Sequence, residues 1–394
     1  MVKIAISLGD INGVGTEIAL KAHSEISKFC KPIYCINKSL LSNAAKLLKI
    51  DIPQDISLIE CGSEFEIKPA KISKKSGKFS FISFQNALLA LKTQKADALV
   101  TLPINKQAWS KAKVPFVGHT DALSKIYKKR GIMMLGCNDL FVALFSDHIA
   151  LKAVSKLIKT KRVYEFLLDL YKSTKFEKIG VLGFNPHASD YGVMGGKEEK
   201  QIAKAIKLAN LKLKKEIFVG PLVPDAAFSA TSLKSCNRLV AMYHDQGLIP
   251  LKALFFDKSF NVSLNLPIIR TSVDHGTAFD IAYKGVADVS SYIEAVKFAT
   301  TLVKDGHKQI KEQNIVKAEK TIQKIKVQKE IQTKQTQKRP SKQTQKRVSK
   351  PIKQQNQISK QAPSRQQVSG VLAKNKIVAK TTKIQPTSKS KKAD

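Results

Sequence analysis

The chain has 394 residues, 68 Lys and Arg against 31 Asp and Glu, and a formal net charge of +37. At that length more than one structural unit is expected, because single cores stop growing near ~250–300 residues. Its 43% hydrophobic content supplies a core, and the absence of any run of about 18 apolar residues excludes a membrane-spanning helix.

Taken in chain order, the sequence opens on MVKIAISLGDINGVG, where one Lys precedes a short apolar run. That run reads as a strand over 2–8 and lacks the length and cleavage site of a secretory signal. A glycine-rich turn and an amphipathic stretch over 16–29 follow, then a strand at 33–36 and a helix over 39–48. Further strands are expected at 57–60, 96–101, 141–146, 178–182, 216–219 and 239–243. Helical periods fall between them at 83–93, 120–129, 161–172 and 197–213, and a last helix at 290–305. A strand-rich stretch at 261–271 has no helix behind it. Such alternation predicts an α/β protein with a mixed, largely parallel sheet. No linker divides 1–307, so its lobes are expected to be discontinuous in sequence. Cys30, Cys35, Cys61, Cys137 and Cys236 form no C-x-x-C pair and suit a reducing, cytoplasmic setting as buried small hydrophobes.

Residues 308–394 carry 24 Lys and Arg against 4 Asp and Glu, with no Phe, Trp or Tyr. Such a segment cannot bury enough apolar surface to offset ordering entropy and is expected to be a disordered basic tail. It holds a near-repeat, QTQKRPSK at 335–342 and QTQKRVSK at 343–350. A solvated extension is the simpler reading; contact with nucleic acid or another polyanion is the alternative, although the stacking aromatics of single-strand binders are missing.

Chemistry therefore belongs to 1–307. Of seven histidines, His23 and His307 read as surface residues, whereas His119, His148, His187, His244 and His275 each sit in a loop after an expected strand. His148, His187 and His244 are too far apart for a short metal motif, but converging strand ends would let three imidazoles hold one divalent ion. Imidazole ligation favours zinc, with magnesium or cobalt as alternatives.

An anion site is suggested by Gly118-His119-Thr120 at an expected helix start. Lys252, Asn261 and Arg270 recur in otherwise apolar strand-like sequence, where a polar side chain must face water, a partner or a ligand. Arg270 suits bidentate gripping of a carboxylate or phosphate. The glycines of GDINGVGTE at 9–17 miss the G-x-G-x-x-G spacing of a Rossmann loop. HGTAFDIAYKG at 275–285, expected to lead into a helix, offers Gly276 and Thr277 for close approach to a phosphate or ribose.

Together GD-x-x-GVG-x-E, LPINK at 102–106, GHTD at 118–121, GFNPHA at 183–188, GPL-x-x-D at 220–225, YHDQGLIPLK at 243–252 and SVDHGTAFDIA at 272–282 occur in one order. That order resembles the 4-hydroxythreonine-4-phosphate dehydrogenase family of pyridoxal 5′-phosphate biosynthesis, across essentially all of 1–307. The resemblance implies a two-lobed fold like the isocitrate and isopropylmalate dehydrogenases and a homodimer with its site shared between subunits. It implies a metal on His148, His187 and His244, and substrate on His119, Thr120, Lys252, Asn261 and Arg270. It implies NAD or NADP at the loop bearing His275, Gly276, Thr277 and Asp280. Lys252, and less strongly Asp225, are the candidates for proton transfer. The chain departs from the family at Ile11 and Thr16, where proline is usual, at Val193, where many members have a second His, and at Tyr283, which replaces a common Gly. The expected reaction is metal-dependent oxidation of 4-phosphooxy-L-threonine followed by decarboxylation. Alternatives are a paralogue oxidising phosphorylated threonate or erythronate or a cyclic diol, and a scaffold acting through the basic tail.

Overall fold

A computed structural model of the chain describes residues 1–306; His307, the basic tail and its near-repeat lie outside the described residues. Eleven strands form one sheet: β1 (Val2–Ser7), β2 (Cys30–Cys35), β3 (Ser57–Ile59), β4 (Ala98–Thr101), β5 (Ile132–Cys137), β6 (Leu140–Leu144), β7 (Ile179–Leu182), β8 (Phe218–Leu222), β9 (Arg238–Ala241), β10 (Phe260–Leu264) and β11 (Arg270–Val273). Their order is β3-β2-β1-β4-β11-β10-β5-β6-β9-β7-β8.

The pairings explain how one sheet makes two halves. Strands β3, β2, β1, β4 and β11 are mutually parallel, as are β6, β9, β7 and β8. Between the blocks, β11–β10, β10–β5 and β5–β6 are antiparallel. The two parallel blocks therefore run in opposite directions, and their carboxyl ends emerge at opposite ends of the sheet. The sheet is mixed and largely parallel, as the alternation predicted.

Several local expectations need correction. The stretch over 16–29 is two helices, Gly15–Lys21 and His23–Ser27, and His23 is buried, its Nδ1 2.9 Å from Tyr34 Oη. The helix expected at 83–93 begins at Lys74, capped by Ser73. Its first turns bury Ser76, Gly77, Ser80 and Ser83 alongside Phe79, and these small and polar residues interrupt the apolar period. Gly77 is demanded there because a Cβ would lie 2.1 Å from the Ala108 carbonyl oxygen. Strand β5 escaped notice; it forms a hairpin with β6 across Asn138 and Asp139. Helix His244–Phe255 was masked by its internal Gly247 and Pro250, and Lys252 lies on it, not on a strand. Residues 275–285 are turns, and the following helix starts only at 290.

One face of the sheet carries a continuous apolar layer from Ile4 and Ile6 through Val262 and Phe260 to Val240 and Val181. The other face is divided. One small core gathers around Leu99, Phe84, Trp109 and Leu123, and a second around Leu135, Val142, Leu239 and Leu251. No helix among the described residues is long and apolar enough to cross a membrane.

Candidate active site

Register dictates what lies between those two cores. Paired residues of neighbouring strands point to the same face. Ser7 pairs with Thr101, Thr101 with Ser272, Ser272 with Asn261, and Arg270 with Ser263. Next across are Leu135 and Met133, which belong to the second core. A polar seam of Ser7, Thr101, Arg270, Ser272, Asn261 and Ser263 thus separates the two apolar clusters. Helix His119–Tyr127 flanks it from the first core and helix His244–Phe255 from the second.

Arg270 is 3% exposed. Its Nε and Nη2 donate to Thr101 Oγ1 at 3.2 and 2.6 Å, and its Nη1 donates to Ser263 Oγ at 3.0 Å. These are neutral acceptors, and among the described residues no carboxylate pairs with it. Burial lowers its pKa to about 10, so it stays charged at neutral pH. A desolvated, unpaired cation is expensive, and an anionic ligand is the natural remedy. Beside it, His119 packs against Phe84 and edge-on to Trp109. Its Nε2 is buried without a hydrogen-bond partner. Burial first, and then the charge of Arg270, push its pKa well below the ordinary range, so the ring is neutral. Asn261 Oδ1 is likewise buried and unpartnered. Thr120 is half-buried in the first turn of helix His119–Tyr127, after Gly118 as N-cap. Orphaned polar atoms around a bare guanidinium are what a polar, anionic substrate would satisfy.

Lys252 Nζ lies 3.3 Å from Asp274 Oδ2, which also accepts from Ser259 Oγ at 2.8 Å. Asp225 faces a different hollow, with Tyr243, Asp245 and Gln246 at the start of the helix that carries Lys252 near its end. The two proton-transfer candidates are therefore not neighbours. A larger cavity of about 650 Å³ lies between 172–175 and the 262–270 hairpin, and of the candidates only Arg270 borders it.

The loops bearing His148, His187 and His244 all leave the carboxyl ends of the second block. The rings of His148 and His244 are 5.6 Å apart, centroid to centroid. His244 donates from Nδ1 to Asp245 Oδ1 at 2.7 Å, which leaves Nε2 as the nitrogen for a ligand, the usual arrangement of a carboxylate-oriented imidazole. His187 is exposed on a turn where residues 187–191 all have positive φ. Among the described residues no group of three or more His, Cys, Asp or Glu converges tightly enough to hold an ion. Two imidazoles with open positions suit a divalent metal of the borderline kind; the third is not brought to them within one chain.

At the opposite end, the 275–285 loop packs on the first glycine turn. Val14 N donates to Thr277 O at 3.1 Å, and a Cβ on Gly13 would sit 2.6 Å from that oxygen. The GDINGVG turn is thus a support for the second loop. His275 donates from Nδ1 to Gly276 O at 2.9 Å, and a Cβ on Gly276 would meet nothing within 4 Å. A hollow of about 360 Å³ there is lined by Val14, Phe256, Ala278 and Ile281 with Asp257, Asp274, Asp280 and Asp288. An apolar slot rimmed by carboxylates fits a nucleoside whose ribose hydroxyls donate. Tyr283 takes φ +63°, a left-handed conformation that explains a glycine at this place, and it donates to Ile11 O at 2.7 Å.

Sequence reasoning missed Thr101, Ser263 and Ser272, which only strand register reveals, and Gln246 and Ser146. Ser146 Oγ donates to Met242 O at 2.6 Å, Gln246 Oε1 accepts from Met242 N at 2.7 Å, and Gln246 Nε2 donates to Gly183 O at 2.7 Å. The three histidine loops are strapped together by these bonds.

Residues 28–299 match the family model described as pyridoxal phosphate biosynthetic protein PdxA. The chain is 68% identical over 300 residues to the 4-hydroxythreonine-4-phosphate dehydrogenase of Campylobacter fetus, covering 76% of this chain and 98% of that one. It is 55% identical to the enzyme of the same name from Sulfurimonas denitrificans, over 76% of this chain and 98% of that one. The crystal structure of a 4-hydroxythreonine-4-phosphate dehydrogenase from Burkholderia phymatum superposes with a TM-score of 0.65 at 31% identity, covering 77% of this chain and 98% of the other.

Proposed function

Because the chain belongs to the PdxA family of pyridoxal phosphate biosynthetic proteins, we propose that it oxidises 4-phosphooxy-L-threonine at the polar seam. It is a dehydrogenase of pyridoxal phosphate biosynthesis, acting on a small phosphorylated substrate. In our reading the product is 2-amino-3-oxo-4-phosphooxybutanoate, a β-keto acid that loses CO₂ to give 3-amino-2-oxopropyl phosphate. The observation that carries this is Arg270, a buried guanidinium with only hydroxyl partners. A dianionic phosphate or a carboxylate supplies the missing charge, and the unpartnered His119 Nε2 and Asn261 Oδ1 supply further polar contacts.

The roles of the chain's residues follow from their surroundings. Neutral His119 donates or accepts one hydrogen bond without competing for the anion, and Thr120 adds a hydroxyl at a helix start. Lys252, half-buried between the seam and the apolar slot, holds a proton at Nζ with Asp274 as its counter-charge; Asp225 is the secondary candidate. His148, His187 and His244 would hold the metal, zinc being the favoured ion, and His275, Gly276, Thr277 and Asp280 would border the cofactor. A divalent ion supplies Lewis acidity at the reacting hydroxyl, and a nicotinamide supplies the hydride acceptor that no side chain can be.

A second copy of the chain is part of this reading. His187 stands apart from the other two imidazoles, and Ile149, Leu151, Val193, Met194 and Ile249 are exposed apolar side chains on or beside the histidine-bearing segments. A homodimer would cover them and draw ligands from both subunits. The catalytic unit is taken as 1–307 with lobes discontinuous in sequence, and the cytoplasm as its compartment, where five free thiols stay reduced.

The test is NAD reduction by the purified full chain with 4-phosphooxy-L-threonine, before and after a chelator. Turnover lost on chelation and restored by a divalent ion is the expected result. Activity confined to phosphorylated threonate or erythronate would move the chain to a paralogous reaction.

A further inference from the structure

We propose that Thr101 and Ser263 are positioning residues for Arg270, holding its guanidinium so that the remaining two N–H groups present themselves to an anionic group of the substrate. The inference rests on the reading that the seam is the substrate site. A guanidinium has five N–H donors in a rigid plane. Three are engaged here: Nε and Nη2 by Thr101 Oγ1, and Nη1 by Ser263 Oγ. One donor on each terminal nitrogen is left.

The placement of the two hydroxyls is set by the sheet. Arg270 lies on β11, Ser263 faces it from β10, and Thr101 ends β4 on the other side. The side chain is therefore gripped from both neighbouring strands, and all three residues are buried. The chemistry of the grip matters as much as its geometry. A hydroxyl satisfies a donor without neutralising the cation, whereas an Asp or Glu in either place would form a standing ion pair and cancel the attraction for a ligand. Neither hydroxyl has an acceptor for its own proton among the described residues, so each can also donate toward an incoming anion. Buried donors fixed before binding cost no reorganisation when the ligand arrives.

The anionic partner is a pair of oxygens from either the phosphate or the carboxylate of the substrate. Full-length Thr101→Val, Thr101→Ser and Ser263→Ala proteins would be compared with wild type for KM and kcat on 4-phosphooxy-L-threonine. Calorimetry with inorganic phosphate and, separately, L-threonine provides the second arm. Thr101→Val is expected to raise KM by roughly ten- to a hundred-fold, the loss of charge-assisted hydrogen bonds, with kcat little changed. Ser263→Ala should follow in the same direction by a smaller factor, and Thr101→Ser should restore KM to near the wild-type value. The competitor whose affinity falls in Thr101→Val identifies which end of the substrate Arg270 grips. Unchanged KM and competitor affinities in Thr101→Val would overturn the proposal. So would equal damage in Thr101→Ser, since only the hydroxyl is claimed to matter. A wild type that binds phosphate or threonine but does not turn over the substrate would sink the functional reading alone, and the calorimetric arm would still decide the part played by Thr101.

Discussion

Gln246 donates to the carbonyl of Gly183 at 2.7 Å, and so joins the turn after β9 to the turn after β7. Its other amide atom accepts from Met242 N, whose own carbonyl accepts from Ser146. The side chains of Gln246 and Ser146 therefore set the spacing of three loops, each carrying a histidine two to four residues from the bonded position. Gly183 is also the residue before a second clamp: Glu199 Oε1 accepts from Phe184 N at 2.9 Å and Asn185 N at 2.7 Å.

Replacing Gln246 by Leu removes both bonds while keeping bulk. Zinc affinity should fall by roughly ten- to a hundred-fold, the range seen when groups that orient metal ligands are lost. Thermal unfolding with and without zinc reads this directly, because a ligand that binds only the folded state raises the midpoint by mass action. An undiminished zinc-dependent shift in Gln246→Leu would mean that the strap does not orient the histidines.

Asp10 carries the pH dependence of the first loop. It is 1% exposed, accepts from Asn12 N at 3.0 Å and from Ser76 Oγ at 3.2 Å, and has no cationic partner among the described residues. Burial raises its pKa from 3.8 to about 6, against the opposing pull of those two bonds. A raised carboxyl pKa means that the native state holds the proton more tightly than the unfolded chain. Its contribution is fully present below pH ~4 and lost as pH rises through about 6, on the order of 3 kcal/mol in all. Asp10→Asn should gain on wild type progressively between pH 4 and 7 in urea unfolding, and the difference should then level off. A constant difference across that range would show that Asp10 does not titrate there.

Tyr283 makes the 275–285 loop, the proposed border of the cofactor, sensitive to one hydroxyl. The left-handed backbone at φ +63° is unfavourable for a residue with a Cβ by roughly 1–2 kcal/mol, and the bond from its hydroxyl to Ile11 O holds the residue there. Tyr283→Phe keeps the ring and loses the tether. The KM for NAD is expected to rise a few-fold, the worth of one neutral hydrogen bond at about 1 kcal/mol, with the substrate KM unchanged. Equal changes in both constants would point to a general loss of packing instead.

The strands were readable wherever β-branched runs lie between turn residues; Asn261 and Arg270 were readable as polar residues among apolar ones, and His119 from its place after Gly118 at a helix start. What escaped had other physical causes. Helix Lys74–Lys92 buries Ser76, Gly77, Ser80 and Ser83 among Phe79, Phe84 and Ala87, so the apolar stripe of its first turns is interrupted in sequence. Helix His244–Phe255 contains Gly247 because a Cβ would lie 2.5 Å from Val142 Cγ1, and local propensity argues against a helix there. Thr101 and Ser263 are ordinary hydroxyls in sequence, and only the register that sets them either side of Arg270 gives them a part. His23 illustrates the reverse error. A polar residue in an amphipathic helix reads as exposed, yet His23 is buried, with Tyr34 satisfying one of its nitrogens from the core and Asp55 the other from the surface.

If the proposed binding mode holds, cofactor choice follows from the charge around the apolar slot. Asp257, Asp274, Asp280 and Asp288 line it, and Lys252, the cation paired with Asp274, is already engaged. In the proposed binding mode the adenosine half of the nicotinamide cofactor occupies this slot. Ribose hydroxyls of NAD can donate to such carboxylates, whereas the extra phosphate of NADP would bring like charge against them. Repulsion of like charges a few ångströms apart costs on the order of 1–4 kcal/mol at a partly solvated site. The protein should therefore prefer NAD over NADP by at least about ten-fold in kcat/KM. The preference should narrow in Asp280→Asn and Asp288→Asn, and in wild type as salt screens the site. Equal use of the two cofactors at low ionic strength would place the adenosine elsewhere. The double variant then separates the remaining possibilities: a ratio that does not move on removing both charges means the carboxylates face solvent and not the cofactor.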